Sequence, residues 1–114
     1  PRVAIQGRRL MAALQDRFGN HPNVGDIRGR GLFQAIEFVA DRDTKAPLDP
    51  ARKLAAALKK HTFEAGLICY PMSGTIDGVH GDHILLAPPF ILDDAQITEI
   101  CDKLDTGIMA ALRA

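Results

Sequence analysis

This sequence of 114 residues has no excess of positive or negative charge, no closely spaced pair of cysteines and no long hydrophobic run. Fourteen basic and fourteen acidic residues give a formal net charge of zero, so there is no basic field to attract nucleic acid. The apolar runs are too short to span a membrane, and the first residues lack the pattern of a secretory signal peptide. The composition therefore predicts a single globular domain with no nucleic-acid or membrane partner.

The two cysteines, Cys69 and Cys101, are far apart in the sequence. They fit neither a disulfide framework nor a Cys-x-x-Cys metal or redox site. Both lie in apolar runs, which is typical of unreactive thiols. We therefore predict reduced cysteines in the core of a cytoplasmic protein.

The first third of the chain contains a helical hydrophobic pattern followed by a stretch of strand-forming residues. Apolar or small residues at spacings of three and four predict a helix that ends at Gly19-Asn20; they are Val3, Gly7, Leu10, Leu14 and Phe18. The stretch from Val24 to Val39 is rich in residues that favour strands, and its glycines allow a bulge or a close approach of backbones. We predict two strands or one bent strand, central in a sheet and covered on each side.

The rest of the chain predicts a helix, two strands and a closing helix. Asp49-Pro50 has the residues of a helix start, and Gly66 ends that helix. The segments LICYPM and HILLA read as short strands, and Pro88-Pro89 stops the second one. Asp93 stands three residues before Gln96, which resembles a capping box.

This order of elements predicts an α/β fold of the two-layer α+β type, in which helices pack on a small mixed or antiparallel sheet. We treat residues 1–114 as one domain. The chain begins without an initiator methionine, from which we expect a piece of a longer protein.

The glycine-rich segment GDIRGRG has the wrong spacing for phosphate binding, and a predicted strand rather than a helix follows it. It also lacks the aromatic residues that accompany RNA-binding segments. We instead predict that Arg28 or Arg30 forms an ion pair with Glu37, because a partly buried carboxylate needs a partner.

The cluster of His80, Asp82 and His83 has residue types that bind zinc. Adjacent strand residues point to opposite faces, however, so we predict no metal site and a turn-capping role for Asp82. Ser73 does not lie in a Gly-x-Ser-x-Gly elbow, and no pair of carboxylates stands out. The residues alone predict no catalytic or cofactor-binding group within this chain.

The ordered motifs nevertheless resemble a known family. The segment VGDIRGRGLFQAIEFV is similar to the start of the C-terminal small domain of class III aminotransferases, which depend on pyridoxal phosphate (PLP). The matching residues are Val24, Gly25, Arg28, Gly29, Gly31, Leu32 and Glu37. The segments EAGLICYP and GDHILLAPPFILDDAQITEICDKLDTGI resemble the later helix end, the last strand and the closing helix of that domain.

The resemblance implies that most of an enzyme is missing from this chain. In the family, a lysine and an aspartate of a large domain hold PLP, and none of the five lysines here matches that motif. The parent would transfer an amino group between an amine or amino acid and a keto acid, as a cytoplasmic homodimer. We therefore expect this chain to bind no PLP and to be inactive alone.

One departure from the family pattern narrows the expected substrates. Members that act on acetylornithine, ornithine or γ-aminobutyrate resemble one another in placing an arginine where this chain has Leu85. Leucine offers no charge to a substrate carboxylate, and His80 supplies at most a pH-dependent one. The resemblance thus implies an amine:pyruvate enzyme (ω-transaminase), with His80, His83 and Leu85 at the edge of the substrate pocket. The carboxylate-binding arginine would then come from the large domain.

Two other classes of function also fit the composition. The chain is also consistent with a stand-alone, non-catalytic α/β binding or regulatory module. A scaffold fragment that only oligomerises is the third possibility. A PLP-binding domain upstream in the reading frame distinguishes the first hypothesis from the second, and self-association through an exposed apolar patch would indicate the third.

Overall fold

In a computed structural model of the chain, the described helices and strands follow the predicted order. The structure describes residues 2–30, 33–67, 69–74, 76, 80–86 and 93–113, without the side chains of residues 2–4 and 30. The elements are α1 (Arg2–Phe18), β1 (Val24–Arg30), β2 (Phe33–Phe38), α2 (Leu54–Glu64), β3 (Tyr70–Ser73), β4 (Asp82–Leu86) and α3 (Asp94–Arg113). The predicted Pro88-Pro89 stop and the motif residues Gly31 and Leu32 lie outside the described residues.

The four strands form one sheet in the order β1-β2-β4-β3, with every neighbouring pair antiparallel. This confirms the two-layer fold and resolves the choice between a mixed and an antiparallel sheet. The stretch from Val24 to Val39 forms two strands, and the register shifts between Val24 and Asp26. The predicted bulge therefore lies at Gly25, where an added Cβ would be 2.7 Å from Cγ1 of Val39.

The core lies between the sheet and the helices, on one face of the sheet. On that face, Ile36 of β2 pairs with Ile84 of β4, and both are fully buried. Helix α1 is on the same side, because Nε2 of Gln34 donates to the carbonyl of Gly7 at 3.5 Å. The apolar side chains of the helices complete this core; they are Leu10, Leu14, Phe18, Leu54, Leu58, Ile97, Leu104 and Ile108.

The prediction that β2 is covered on each side is wrong for the part of the chain that the structure describes. The strand is central, as predicted, but Phe33 on the opposite face is 56% exposed and Glu37 is only half-buried. Tyr70 and Met72 of β3 are also exposed. The apolar residues on both faces of β2 led to the wrong expectation, since sequence alternation does not reveal which layers are present.

The predicted helix from Asp49 to Gly66 is divided in two. The side chain of Asp49 accepts a hydrogen bond from the amide of Ala51 at 3.0 Å, as the cap prediction required, but the helix it opens is a 3-10 turn at Pro50–Arg52. Lys53 then adopts a left-handed conformation with φ of 51°. A left-handed residue breaks the right-handed helical path, so α2 begins separately at Leu54.

Helix α3 begins with the predicted capping box. The amide of Asp93 donates to Oε1 of Gln96 at 2.9 Å, and the amide of Gln96 donates to Oδ1 of Asp93 at 2.8 Å. Arg9 of α1 donates to the carboxylate of Asp94 at 3.0 Å, which joins the two helices at this end. The apolar stripe of α3 is buried as predicted.

Replacing Asp93 with alanine should lower the free energy of unfolding by about 1 kcal/mol, because the amide of Gln96 then loses its acceptor at the helix start. Urea unfolding monitored by circular dichroism measures the change. Glu99→Ala is the control, since it removes an exposed pair with Lys103 at 2.7 Å, and such pairs contribute little. Equal effects of the two substitutions would contradict the role of the cap.

Both cysteines are free, as predicted. Cys101 is buried in α3, and burial raises the pKa of its thiol. Burial also raises the pKa of Cys69, whose Sγ lies 3.4 Å from the hydroxyl of Thr62. Raised pKa values reduce the thiolate fraction, so neither thiol is activated for nucleophilic attack. Among the described helices, none is long and apolar enough to cross a bilayer.

Candidate functional site

The face of the sheet opposite the helices, here called the open face, carries two rows of side chains. Residues directly opposite each other on neighbouring strands share a face. The first row consists of Asp26, Glu37, His83 and Met72, and the second consists of Arg28, Ala35, Leu85 and Tyr70. Charged and titratable groups dominate the first row, whereas apolar groups dominate the second beyond Arg28.

A depression of about 330 Å³ lies on the open face. It forms because Ala35 is small and stands between two long side chains, Arg28 on one side and Leu85 on the other. The residues that line it are Arg28, Gly29, Phe33, Ala35, His83 and Leu85. Its volume is at the lower end of the range for small-molecule sites, and its lining combines an apolar surface with a few polar groups.

Arg28 is held at the edge of the depression by two carboxylates. Its Nη1 lies 2.9 Å from Oε2 of Glu37 and 3.1 Å from Oδ2 of Asp26. These two hydrogen bonds raise the pKa of Arg28 above its already high ordinary value. The predicted ion pair of Glu37 is confirmed with Arg28 as its partner, while the side chain of Arg30 lies outside the described residues.

His83 forms one wall of the depression and is half-buried. Burial lowers the pKa of its imidazole, and the nearby charge of Arg28 lowers it further. Its Nδ1 is buried and has no hydrogen-bond partner among the described residues. Both effects favour the neutral imidazole, which presents an uncharged ring to the depression.

The structure brings together two of the three residues predicted at the pocket edge. His83 and Leu85 both line the depression. His80 does not line it and lies in the preceding segment, where its carbonyl accepts a hydrogen bond from the amide of Ile76 at 2.9 Å. Asp82 is buried on the helix side of the sheet, and burial raises the pKa of its carboxyl. Its turn-capping role stays a prediction.

The sequence did not assign Arg28, Phe33 or Ala35 to a site. The alternation of β2 places Phe33, Ala35 and Glu37 on one face, so part of the signal is present in the sequence. The neighbourhood of Arg28 and Leu85 is not, because it depends on how β1, β2 and β4 pair. The register of strand pairing places Arg28, Ala35 and Leu85, which lie on three separate strands, side by side in one row.

The described residues offer no amine for covalent attachment of a cofactor in the depression. None of the five lysines lines it. Lys103 pairs with Glu99 on α3, and Lys45 donates to the carbonyl of Gly25. Among the described residues, no group of three or more His, Cys, Asp or Glu side chains is arranged to hold a metal ion. This part of the chain therefore does not fit PLP by itself.

Comparisons with known proteins agree with one another. The family model for class III aminotransferases matches residues 2–108. An uncharacterized aminotransferase of Schizosaccharomyces pombe is 44% identical over 113 residues, which are 99% of this chain and 25% of the relative. The taurine–pyruvate aminotransferase of Rhodobacter capsulatus is 35% identical over 106 residues, which are 93% of this chain and 22% of the relative.

The fold matches solved structures of the same kind. A transaminase obtained by ancestral reconstruction superposes with a TM-score of 0.86 at 33% identity, over 98% of this chain and 23% of that chain. The chain thus spans about a quarter of the length of the curated relatives that it matches.

Proposed function

Because this chain belongs to the class III aminotransferases, we propose that residues 1–114 form the C-terminal small domain of a longer PLP-dependent enzyme. That enzyme transfers an amino group between an amine or amino acid and a keto acid such as pyruvate. The observation that carries this proposal is the match of nearly the whole chain to only about a quarter of each relative. The cofactor, when bound, supplies the electron sink for the transfer.

The small domain contributes one wall of the substrate pocket in this proposal. The depression on the open face contains His83 and Leu85, which are two of the three residues assigned to the pocket edge. Leu85 is half-buried and apolar, so it favours the uncharged part of an amine over a second carboxylate. His80 is the third assigned residue, outside the depression, and the assembled enzyme would be a cytoplasmic homodimer.

The proposal assigns the cofactor to the part of the enzyme outside this chain. An isolated chain without a lysine at the depression cannot hold PLP covalently there, so it is inactive alone. The runner-up hypothesis, a stand-alone binding module, would require the open face to serve a partner other than an aminotransferase domain. The extent of the match to aminotransferases supports the first hypothesis over the second.

A chimera tests the proposal directly. This chain is inserted into the taurine–pyruvate aminotransferase of Rhodobacter capsulatus in place of the segment that it matches. We expect the chimera to bind PLP, with an absorbance band above roughly 400 nm, and to transaminate with pyruvate as acceptor. The unaltered bacterial enzyme, purified in the same way, is the control for both measurements. A folded chimera that binds PLP but does not transaminate would contradict the proposal.

Leu85→Arg in the chimera tests the pocket assignment separately. An arginine at this position offers a carboxylate a planar pair of donors. We expect the ratio of kcat/KM for 4-aminobutyrate to that for butylamine to rise by about tenfold, since hydrogen bonds to charged groups contribute about 1.5–3 kcal/mol. An unchanged ratio, or an unsubstituted chimera that accepts only dicarboxylic keto acids, would show that Leu85 does not select substrates.

A further inference from the structure

Arg28 differs from the other residues around the depression in its charge. Among the described lining residues, it is the one side chain that is charged at every pH at which proteins are folded. The carboxylates of Asp26 and Glu37 contact Arg28 but do not line the depression. A ligand in the depression therefore contacts the guanidinium and not the two carboxylates.

Half of the guanidinium is available to a ligand. Both described hydrogen bonds of Arg28 use Nη1, and Nε and Nη2 have no partner among the described residues. These two nitrogens carry three N–H donors, and two of them, one on each nitrogen, lie along one edge of the planar group. That edge has the geometry that binds a carboxylate through two parallel hydrogen bonds. The contacts with Asp26 and Glu37 fix the orientation of the group in advance, which reduces the entropy lost on binding.

We propose that Arg28 binds the carboxylate of the keto acid acceptor through its Nε and Nη2 edge, an inference that rests on the proposed function. The apolar part of the acid then lies against Ala35 and Leu85, which share a row with Arg28. Leu85 has no charge and cannot bind a carboxylate, so Arg28 supplies the carboxylate-binding group within this chain. In this inference the carboxylate-binding arginine lies within this chain, whereas the family resemblance implied one in the large domain.

The negative charges of Asp26 and Glu37 lower the affinity of Arg28 for another carboxylate. The charge of Glu37 is one determinant of that affinity. By Coulomb's law, two carboxylates at about twice the contact distance would together cancel the attraction of the guanidinium for a third carboxylate. The lowered pKa of His83 favours its neutral form, which adds no charge. In that case, the two parallel hydrogen bonds from Arg28 supply the free energy that favours binding. Removing the charge of Glu37 should therefore strengthen binding, whereas removing the guanidinium of Arg28 should weaken it strongly.

Titration of the 114-residue chain by nuclear magnetic resonance tests this site without the cofactor. Pyruvate is the probe, and the methyl signals of Ala35 and Leu85 report binding. Pyruvamide, which has nearly the same shape without the charge, is the ligand control. We expect saturable shifts with pyruvate that are absent with pyruvamide. Arg28→Gln should weaken binding by at least about tenfold, and Glu37→Gln should strengthen it severalfold.

Two further variants separate recognition from folding. Arg9→Gln is the matched control, because Arg9 also pairs with a carboxylate and has a similarly exposed side chain, 56% against 52% for Arg28. It should leave pyruvate binding unchanged. Arg28→Lys keeps the charge and loses the planar edge, so it should bind more weakly than the unsubstituted chain even if Arg28→Gln does not fold.

Several results would overturn the inference. They are equal shifts with pyruvamide, unchanged binding in Arg28→Gln or Arg28→Lys, and no saturable shift in either the unsubstituted chain or Glu37→Gln. Such results leave the transaminase proposal intact if the chimera is active. An inactive chimera together with Arg28-dependent binding of pyruvate would contradict the proposed function while keeping the binding site.

Discussion

Replacing Gly29 with alanine is expected to lower the free energy of unfolding by about 3 kcal/mol or more, a larger cost than most single substitutions. Gly29 lies in β1 opposite Gln34. A Cβ at this position would overlap the carbonyl oxygen of Phe33 and lie 2.7 Å from the Cα of Gln34. Both are backbone atoms of β2, so relief requires the two strands to separate.

Gly25 provides a matched control in the same strand. A Cβ added there would also be close to its neighbour, at 2.7 Å, but the neighbour is a side-chain methyl of Val39. A side chain shifts more easily than a paired backbone, so Gly25→Ala should cost about 1–3 kcal/mol, as overpacking does. Urea unfolding of both variants measures the difference. If Gly29→Ala were as stable as Gly25→Ala, the close approach of β1 and β2 would not be required.

The loss of Gly29 should also alter the depression, because this residue lines it next to Arg28. Separation of β1 from β2 would move Arg28 away from Ala35. In a Gly29→Ala variant that still folds, the pyruvate-dependent shifts should therefore weaken. Gly29 is one of the motif residues that carry the family resemblance. A glycine is required there because the backbones of β1 and β2 approach too closely to leave room for a Cβ.

Replacing Ile84 with alanine is the second substitution with a large expected effect. Ile84 is fully buried in the central strand β4 and pairs with Ile36 in the middle of the core. Removal of its outer carbons leaves a cavity between the sheet and the helices. Substitutions of this kind cost about 2–5 kcal/mol, and the free energy of unfolding measured in urea should fall by that amount.

Leu85 is the adjacent residue and the natural comparison. Its side chain points to the open face and is only half-buried. Leu85→Ala removes less contact in the isolated chain, so it should cost about 1 kcal/mol or less. Similar costs for the two substitutions would indicate that the open face is covered as fully as the helix face. The expected difference separates the face that stabilises β4 from the face that carries the depression.

Much of the fold was predictable because its signals are local. The period of the apolar residues predicted the first and last helices, and residues that favour strands predicted the strands. The spacing of Asp93 and Gln96 predicted the capping box. The helix predicted from Asp49 to Gly66 is interrupted at Lys53, which adopts a left-handed conformation. Lysine has no preference for that conformation, so the sequence did not indicate the interruption. The covering of β2 was also wrong, because a pattern of side chains shows which face is apolar and not what packs on it.

The sequence by itself determined the order of the elements, the apolar stripes of the helices and the motifs that resemble class III aminotransferases. It also determined that position 85 carries no charge. Only the tertiary structure decided that Arg28, Ala35 and Leu85 form one row. The physical reason is that pairing of β1, β2 and β4 depends on the common packing of all three against the helices. A change of register by one residue would have turned Leu85 into the core and Ile84 toward the open face.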